Sequence, residues 1–229
     1  MTSDDRPATG AVWVRWARVT DDPAAAVDLD DVERSRMAGL VHEADRRRFR
    51  TSRVALKGLV ADLVGASSSA VRLDYACPRC GRQHGRPLVV APHQALSWQV
   101  SLSHSGDRVL VAASDVGPVG VDVELVSGTE FAGFAETALA PTERRALQQV
   151  STIGRARAAA TLWTRKEALL KATGQGLSQD PSAFDAAQTE ALHGVQARIL
   201  PAGDEHVAAV AVLTTLPVTW HLPDASGPV

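Results

Sequence analysis

Near the middle of the 229-residue chain, Asp115-Val-Gly-Pro118 separates two β-type runs at 109–113 and 119–123. Glycine and proline at these positions are turn chemistry, so a hairpin is expected there. The segments on its two sides follow one plan. Before it come a strand over 11–19, with Val12, Val14 and Trp16 on one face, and a helical stretch over 30–64 that breaks near Gly39 and stops at Gly65. A loop-rich section over 66–98 and a strand at 99–104 complete that half. After the turn come a helix over 141–150 with Pro141 in its first turn, a helix over 155–173 ended by Gly174, and strands near 195–200, 207–213 and 218–222. The first ten and last seven residues read as loose tails. Each half thus holds one long helix and a few antiparallel strands. The fold expected is α/β of the α+β kind: two similar lobes, 1–117 and 118–229, each a small mainly antiparallel sheet packed on a long helix. The cleft between two such lobes is a favoured place for a ligand.

Composition narrows the function. The chain carries 24 Lys+Arg against 26 Asp+Glu, a formal net charge of −2, which is not the balance of a general polyanion binder. Apolar runs fall far short of the roughly 20 residues that span a bilayer, so no membrane partner is expected. The opening MTSDDRPATG lacks the basic start and apolar stretch of a secretory signal. The two cysteines, Cys77 and Cys80, cannot make a disulfide scaffold, and a reducing cytoplasm is the expected location.

Five constellations carry chemistry. In Gly120-Val-Asp-Val-Glu124, strand alternation points Asp122 and Glu124 one way and Val121 and Val123 into the core. Two carboxylates roughly 7 Å apart on one face repel, and a hard cation such as Mg²⁺ relieves that; the plainer reading is an acidic exposed strand face. In Trp163-Thr-Arg-Lys-Glu167 and the residues to Lys171, Glu167 and Lys171 lie four apart on one helix face. They read either as an exposed ion pair or as a third metal ligand with a phosphate-binding lysine one turn away. Ser101-Leu-Ser-His-Ser105 places His104 at a strand end, structural or catalytic. Arg46, Arg50, Arg53 and Lys57 form one helical stripe suited to a phosphate-bearing ligand or merely to solvent. Cys77-Pro-Arg-Cys80 with His84 looks like half of a zinc site, for which His93 could be a fourth donor; a surface loop that carries two thiols is the plainer alternative.

Taken in order, SLSHSG at 101–106, VGVDVE at 119–124 and WTRKEALLK at 163–171 resemble the signature of the 4'-phosphopantetheinyl transferases, in the larger, monomeric, Sfp-like form. Gly174 and Gly176 match a following glycine pair, and HGRP at 84–87 resembles an upstream basic step. The resemblance implies two lobes related by a pseudo-twofold, with coenzyme A between them. It implies transfer of the phosphopantetheine arm to a serine of an acyl or peptidyl carrier protein, leaving 3',5'-ADP. By the same resemblance Asp122, Glu124 and Glu167 match Mg²⁺ ligands. Glu167 also matches the proposed base, and Lys171 a phosphate-binding lysine that assists the leaving group. Ser103 and His104 match coenzyme contacts, Arg86 a 3'-phosphate contact, and Arg46, Arg53 and Lys57 the nucleotide-anchoring basic residues.

Two other readings compete: a Mg²⁺-dependent nucleotide phosphohydrolase using the same acids, and a nucleic-acid-binding module using the arginine stripe. The near-neutral balance and the single Tyr and four Phe argue against the second. Carrier proteins are commonly acidic, and Arg144, Arg145, Arg155 and Arg157 form a basic rim that could receive one. A secondary-metabolism carrier is the expectation from the resemblance.

Overall fold

The computed structural model describes residues 10–21, 28–77, 79–174 and 180–224. Most of the expected tails and Gly176 lie outside the described residues. In chain order the elements are β1 (Gly10–Arg18), α1 (Asp31–Ala38), α2 (Glu43–Val64), β2 (Arg72–Asp74), β3 (Leu88–Ala91), β4 (Gln99–Ser105), β5 (Arg108–Ser114), β6 (Val119–Leu125), α3 (Phe134–Ala138), α4 (Pro141–Gln148), α5 (Thr152–Thr173), α6 (Ala186–His193), β7 (Val195–Leu200), β8 (His206–Leu213) and β9 (Val218–His221). The fold is α+β.

Two sheets form: a six-stranded one in the order β2-β3-β4-β5-β1-β9, and a three-stranded one in the order β6-β8-β7. They stack face to face, each with its long helix on the outer side. Leu56, Leu59 and Val60 of α2 pack on Val109, Val111 and Ala113 of β5. The opposite face of β5, with Leu110 and Ala112, joins Val12, Val14 and Trp16 of β1 against Val119, Val121 and Val123 of β6. Leu169, Leu170 and Ala172 of α5 cover Ala209 and Ala211 of β8. Covered on both faces, β5 reads as an apolar run rather than an alternation.

The expected hairpin across 115–118 does not form. β5 pairs with β1 and β4, whereas β6 pairs with β8. The turn instead carries the chain from one sheet to the other. Stacking buries the odd-numbered valines of β6 as well as hairpin pairing would have, so the apolar pattern alone did not decide between them. The sheets are unequal, and β9, near the end of the described residues, pairs in parallel with β1, with His221 stacked on Trp13 at 4.6 Å.

One arrangement occurs twice. Glu33, in the first turn of α1, accepts from the backbone N–H of Asp30 and from the fully buried Nζ of Lys57 on α2, which also donates to the Asp28 carbonyl. Glu143, in the first turn of α4, accepts from the backbone N–H of Ala140 and from the fully buried Nζ of Lys166 on α5, which also donates to the Ala138 carbonyl. In both, a short helix is tied through its first-turn glutamate to a lysine inside the long helix that follows.

Candidate active site

The site lies where β4, β6 and α5 meet. The serines at alternate positions of β4 face β6 and bridge the two sheets. Ser101 Oγ accepts from Val121 N–H at 3.1 Å. Ser103 Oγ donates to Asp122 Oδ1 at 2.8 Å. Ser105 Oγ donates to Glu124 Oε2 at 3.1 Å and accepts from Leu125 N–H at 3.1 Å. The period-2 serine spacing was visible in the sequence, but only the strand assignment gives it meaning: small hydroxyls replace a backbone ladder between two stacked strands.

On β6, Gly120 lies on the same face as Asp122 and Glu124. A Cβ at Gly120 would stand 2.0 Å from the Ala168 carbonyl oxygen and 2.5 Å from the Ala172 nitrogen of α5. The missing side chain therefore lets α5 lie directly on the strand, which brings Glu167 and Lys171 beside the strand's two acids. Lys171 Nζ donates to Asp122 Oδ1 at 2.7 Å and to the Val121 carbonyl at 3.1 Å.

Asp122 is only 3 % exposed. Both of its partners use Oδ1, and Oδ2 is buried without one; Glu167 Oε1 is likewise buried and unpartnered. Burial, then the Asp122 charge, pushes the Glu124 carboxyl above its ordinary range, with Ser105 and Lys171 pulling the other way. Burial also pushes Glu167 up; Lys171 opposes this, and Asp122 and Glu124 add to it. Three acids that feel one another, with two orphan oxygens aimed at no donor, fit a hard oxygen-seeking cation. The set is open, since among the described residues these acids do not bring one oxygen each within 4.8 Å of all the others.

His104 stands at the end of β4 with solvent access. Desolvation, then the charges of Arg48 and Arg53, hold its imidazole below its ordinary pKa, so it is neutral at pH 7. Arg48 donates to the Gly106 carbonyl at 2.9 Å, which places this unheralded member of the arginine run beside His104. The remaining basic residues separate. Arg53 is buried, its guanidinium over the rings of Phe49 and Tyr75 at 4.4 and 4.1 Å, and its Nε is unpartnered. Arg86 is half-buried, with Nε unpartnered and one NH2 contact of 3.4 Å to the Val119 carbonyl. Arg46 is tied to its own helix start through the Leu40 carbonyl and Glu43. Lys57 is fully buried, its ammonium held by Glu33 and the Asp28 carbonyl inside the fold. Arg50 also turns inward, to the Thr20 carbonyl, so the expected stripe is no continuous phosphate surface. Of the expected rim, Arg144, Arg155 and Arg157 donate to nearby carbonyls while Arg145 is exposed.

Beside Glu124 opens an apolar cleft of about 440 Å³ lined by Thr129, Phe131, Phe134, Thr137 and Trp163. Nothing in the sequence pointed to it, because its walls come from three separate segments.

Comparison with known proteins gives a family. The family model of the 4'-phosphopantetheinyl transferase superfamily matches residues 118–215, the stretch that carries Asp122, Glu124, Glu167 and Lys171. A 4'-phosphopantetheinyl transferase of Bacillus subtilis is 31% identical over 158 residues, 66% of this chain and 68% of its own length. The 4'-phosphopantetheinyl transferase psf-1 of Bacillus pumilus is 36% identical over 107 residues, 47% of this chain and 44% of its own. HetI of Nostoc sp., of the same name, is 26% identical over 159 residues, 69% and 64%. The chain belongs to the 4'-phosphopantetheinyl transferase superfamily. It spans about half to two-thirds of the length of the curated relatives it matches.

Proposed function

We propose that this chain moves the 4'-phosphopantetheine arm of coenzyme A onto a serine of an acyl or peptidyl carrier protein, with Mg²⁺, leaving 3',5'-ADP, and that it is of the larger, monomeric Sfp-like type. One observation carries the reading: across Gly120, α5 lies directly on β6, so that Lys171 bonds to Asp122 and the Glu167 carboxyl comes within electrostatic reach of Asp122 and Glu124.

Asp122, Glu124 and Glu167 would hold the cation, which when bound supplies charge neutralisation on the diphosphate. Lys171, fixed by Asp122 and the Val121 carbonyl, has a donor left for a phosphate oxygen of the departing bisphosphate. Glu167 accepts the proton of the carrier serine as its oxygen bonds to phosphorus and the bond to the bisphosphate breaks. A carboxyl raised by burial is a stronger acceptor at neutral pH than an ordinary one, and general-base help of this kind is worth about 10²–10⁴-fold. Neutral His104 offers a ring N–H to the coenzyme next to Arg48. Ser103 acts by fixing Asp122. Half-buried Arg86, with a single long contact to the Val119 carbonyl, supports a role in anchoring the nucleotide; Arg46 and Arg53 join it in the proposal on the family resemblance alone. The carrier would approach along the C-terminal segment, near Arg145 and its neighbours, and the apolar cleft beside Glu124 could take the pantetheine chain. Among the described residues no helix is long and apolar enough to cross a membrane. A cytoplasmic location and a carrier from secondary metabolism complete the proposal.

The test is mass spectrometry of several apo carrier proteins incubated with this protein, coenzyme A and Mg²⁺. A gain of the phosphopantetheine mass is expected, lost in Asp122→Ala and Glu167→Ala variants that keep the far-UV spectrum of the parent. Bisphosphate release without any modified carrier would instead mark a hydrolase, and full labelling by both variants would overturn the site.

A further inference from the structure

The loop between β2 and β3 holds a cluster that the site above does not use. The Sγ atoms of Cys77 and Cys80 and a ring nitrogen of His84 all lie within 4.8 Å of one another, with Cys80 Sγ 3.0 Å from His84 Nε2. We propose that these three side chains bind one zinc ion, with water in the fourth position.

The donor set is the first argument. Two thiolates and an imidazole select zinc over the hard cations that the carboxylates of the other site would take. The loop geometry is the second. Gly81 N–H donates to the Cys77 carbonyl at 2.8 Å, and Cys77 N–H to the Arg82 carbonyl at 2.8 Å. Gly81 has φ +70°, a conformation that favours glycine, and it reverses the chain directly after the second cysteine. Gly85 N–H then donates to the Tyr75 carbonyl at 2.7 Å, which pins the loop after His84 back to its own start. The backbone alone thus folds the three donors toward one point. A tetrahedral ion about 2.3 Å from sulfur and about 2.1 Å from nitrogen needs an S···N edge of about 3.6 Å, so binding opens the Cys80–His84 contact by roughly 0.6 Å. Cys80 and His84 are exposed and can make that adjustment. His93, the fourth donor the sequence offered, is not in the cluster, and the exposure of the site leaves water to complete it. On binding, the two thiols release their protons to solvent.

Such an ion would brace this loop further. The loop presents Gln83, whose carbonyl accepts from Arg36 and whose side chain bonds Tyr75 N–H and Asp74, and it leads directly to Arg86. Zinc binding does not depend on the transferase reading, because neither thiol belongs to the carboxylate site.

The full chain without an affinity tag, reduced and stripped by chelator, is titrated with Zn²⁺ and, separately, with Co²⁺ as a spectroscopic probe. One equivalent of zinc per chain is expected, with a Co²⁺ spectrum showing thiolate charge-transfer and tetrahedral d–d bands. Cys77→Ser and Cys80→Ser should each weaken binding at least tenfold and diminish the charge-transfer band. His84→Ala should weaken binding and keep that band. Asp122→Asn should leave the thiolate charge-transfer band unchanged. The proposal is overturned by a Co²⁺ spectrum without thiolate bands, by cysteine variants that bind as the parent does, or by a Cys77–Cys80 disulfide that persists under reductant.

Discussion

Asp122 shows how one side chain can be read in two ways until its neighbours are known. As part of a Val-Asp-Val-Glu strand it could have been a solvated acid. In the fold it is buried, gives one oxygen to Ser103 and Lys171, and keeps the other without a donor. Glu124 and Glu167 share its surroundings, and burial raises both above the ordinary carboxyl range. This fixes the sign of a pH effect. Below the ordinary glutamate pKa both folded and unfolded states are protonated, and the groups contribute nothing unfavourable. As pH rises, the unfolded chain loses these protons first, so the folded state is penalised, and the penalty is complete above the raised folded values. Without divalent cation, the melting temperature of the parent should therefore fall relative to Glu167→Gln as pH rises from about 4 to 7. A difference between the two proteins that does not change with pH would contradict the assigned burial. At this scale the sequence showed which residues carry charge but not which way two lysines face. Lys57 and Lys166 look like any helix lysine, and only the partner glutamates, 24 and 23 residues away, explain their burial.

Four helices, α1, α2, α4 and α5, and the first strand were legible as elements, whereas the short α3 and α6 were not. The break at Gly39 separates α1 from α2, Gly65 and Gly174 end α2 and α5 in left-handed conformation, and β1 covers nearly the expected span. These rest on local signals: period, caps and glycine stops. The partners of strands were less legible. β2 has three residues, too few to show a period, and β9 finds β1 across most of the chain. The hairpin error has the same cause, since alternation specifies a buried face but not whether that face meets a paired strand or a stacked sheet. The contact of α5 with β6 is the element-level feature on which the site depends. Gly120→Ala places a methyl group against the α5 backbone rather than against a side chain that could turn away. We expect a loss of more than about 3 kcal/mol by chemical denaturation, at or beyond the upper end for overpacked cores. Loss of under 1 kcal/mol with full carrier labelling would mean that α5 does not need this close approach.

For the whole molecule, two sheets stacked between two long helices leave the acids at the end of the inter-sheet seam, where the serines of β4 and the packing face of α5 meet. The doubled arrangement of a first-turn glutamate and a buried lysine supports the proposal that the halves descend from one plan, although the sheets now differ in size and β9 crosses between them. On that plan Lys57 corresponds to Lys166, and the residue after each is Gly58 in one half and Glu167 in the other. Only the C-terminal copy then carries the acid. The account stands or falls on one cation shared by Asp122, Glu124 and Glu167. Electron paramagnetic resonance of Mn²⁺ added to the chelator-treated chain with coenzyme A counts bound metal directly. One bound Mn²⁺ per chain is predicted, displaced by Mg²⁺ and weakened at least tenfold in both Asp122→Asn and Glu167→Gln. Binding of equal strength in the parent and both variants would contradict it.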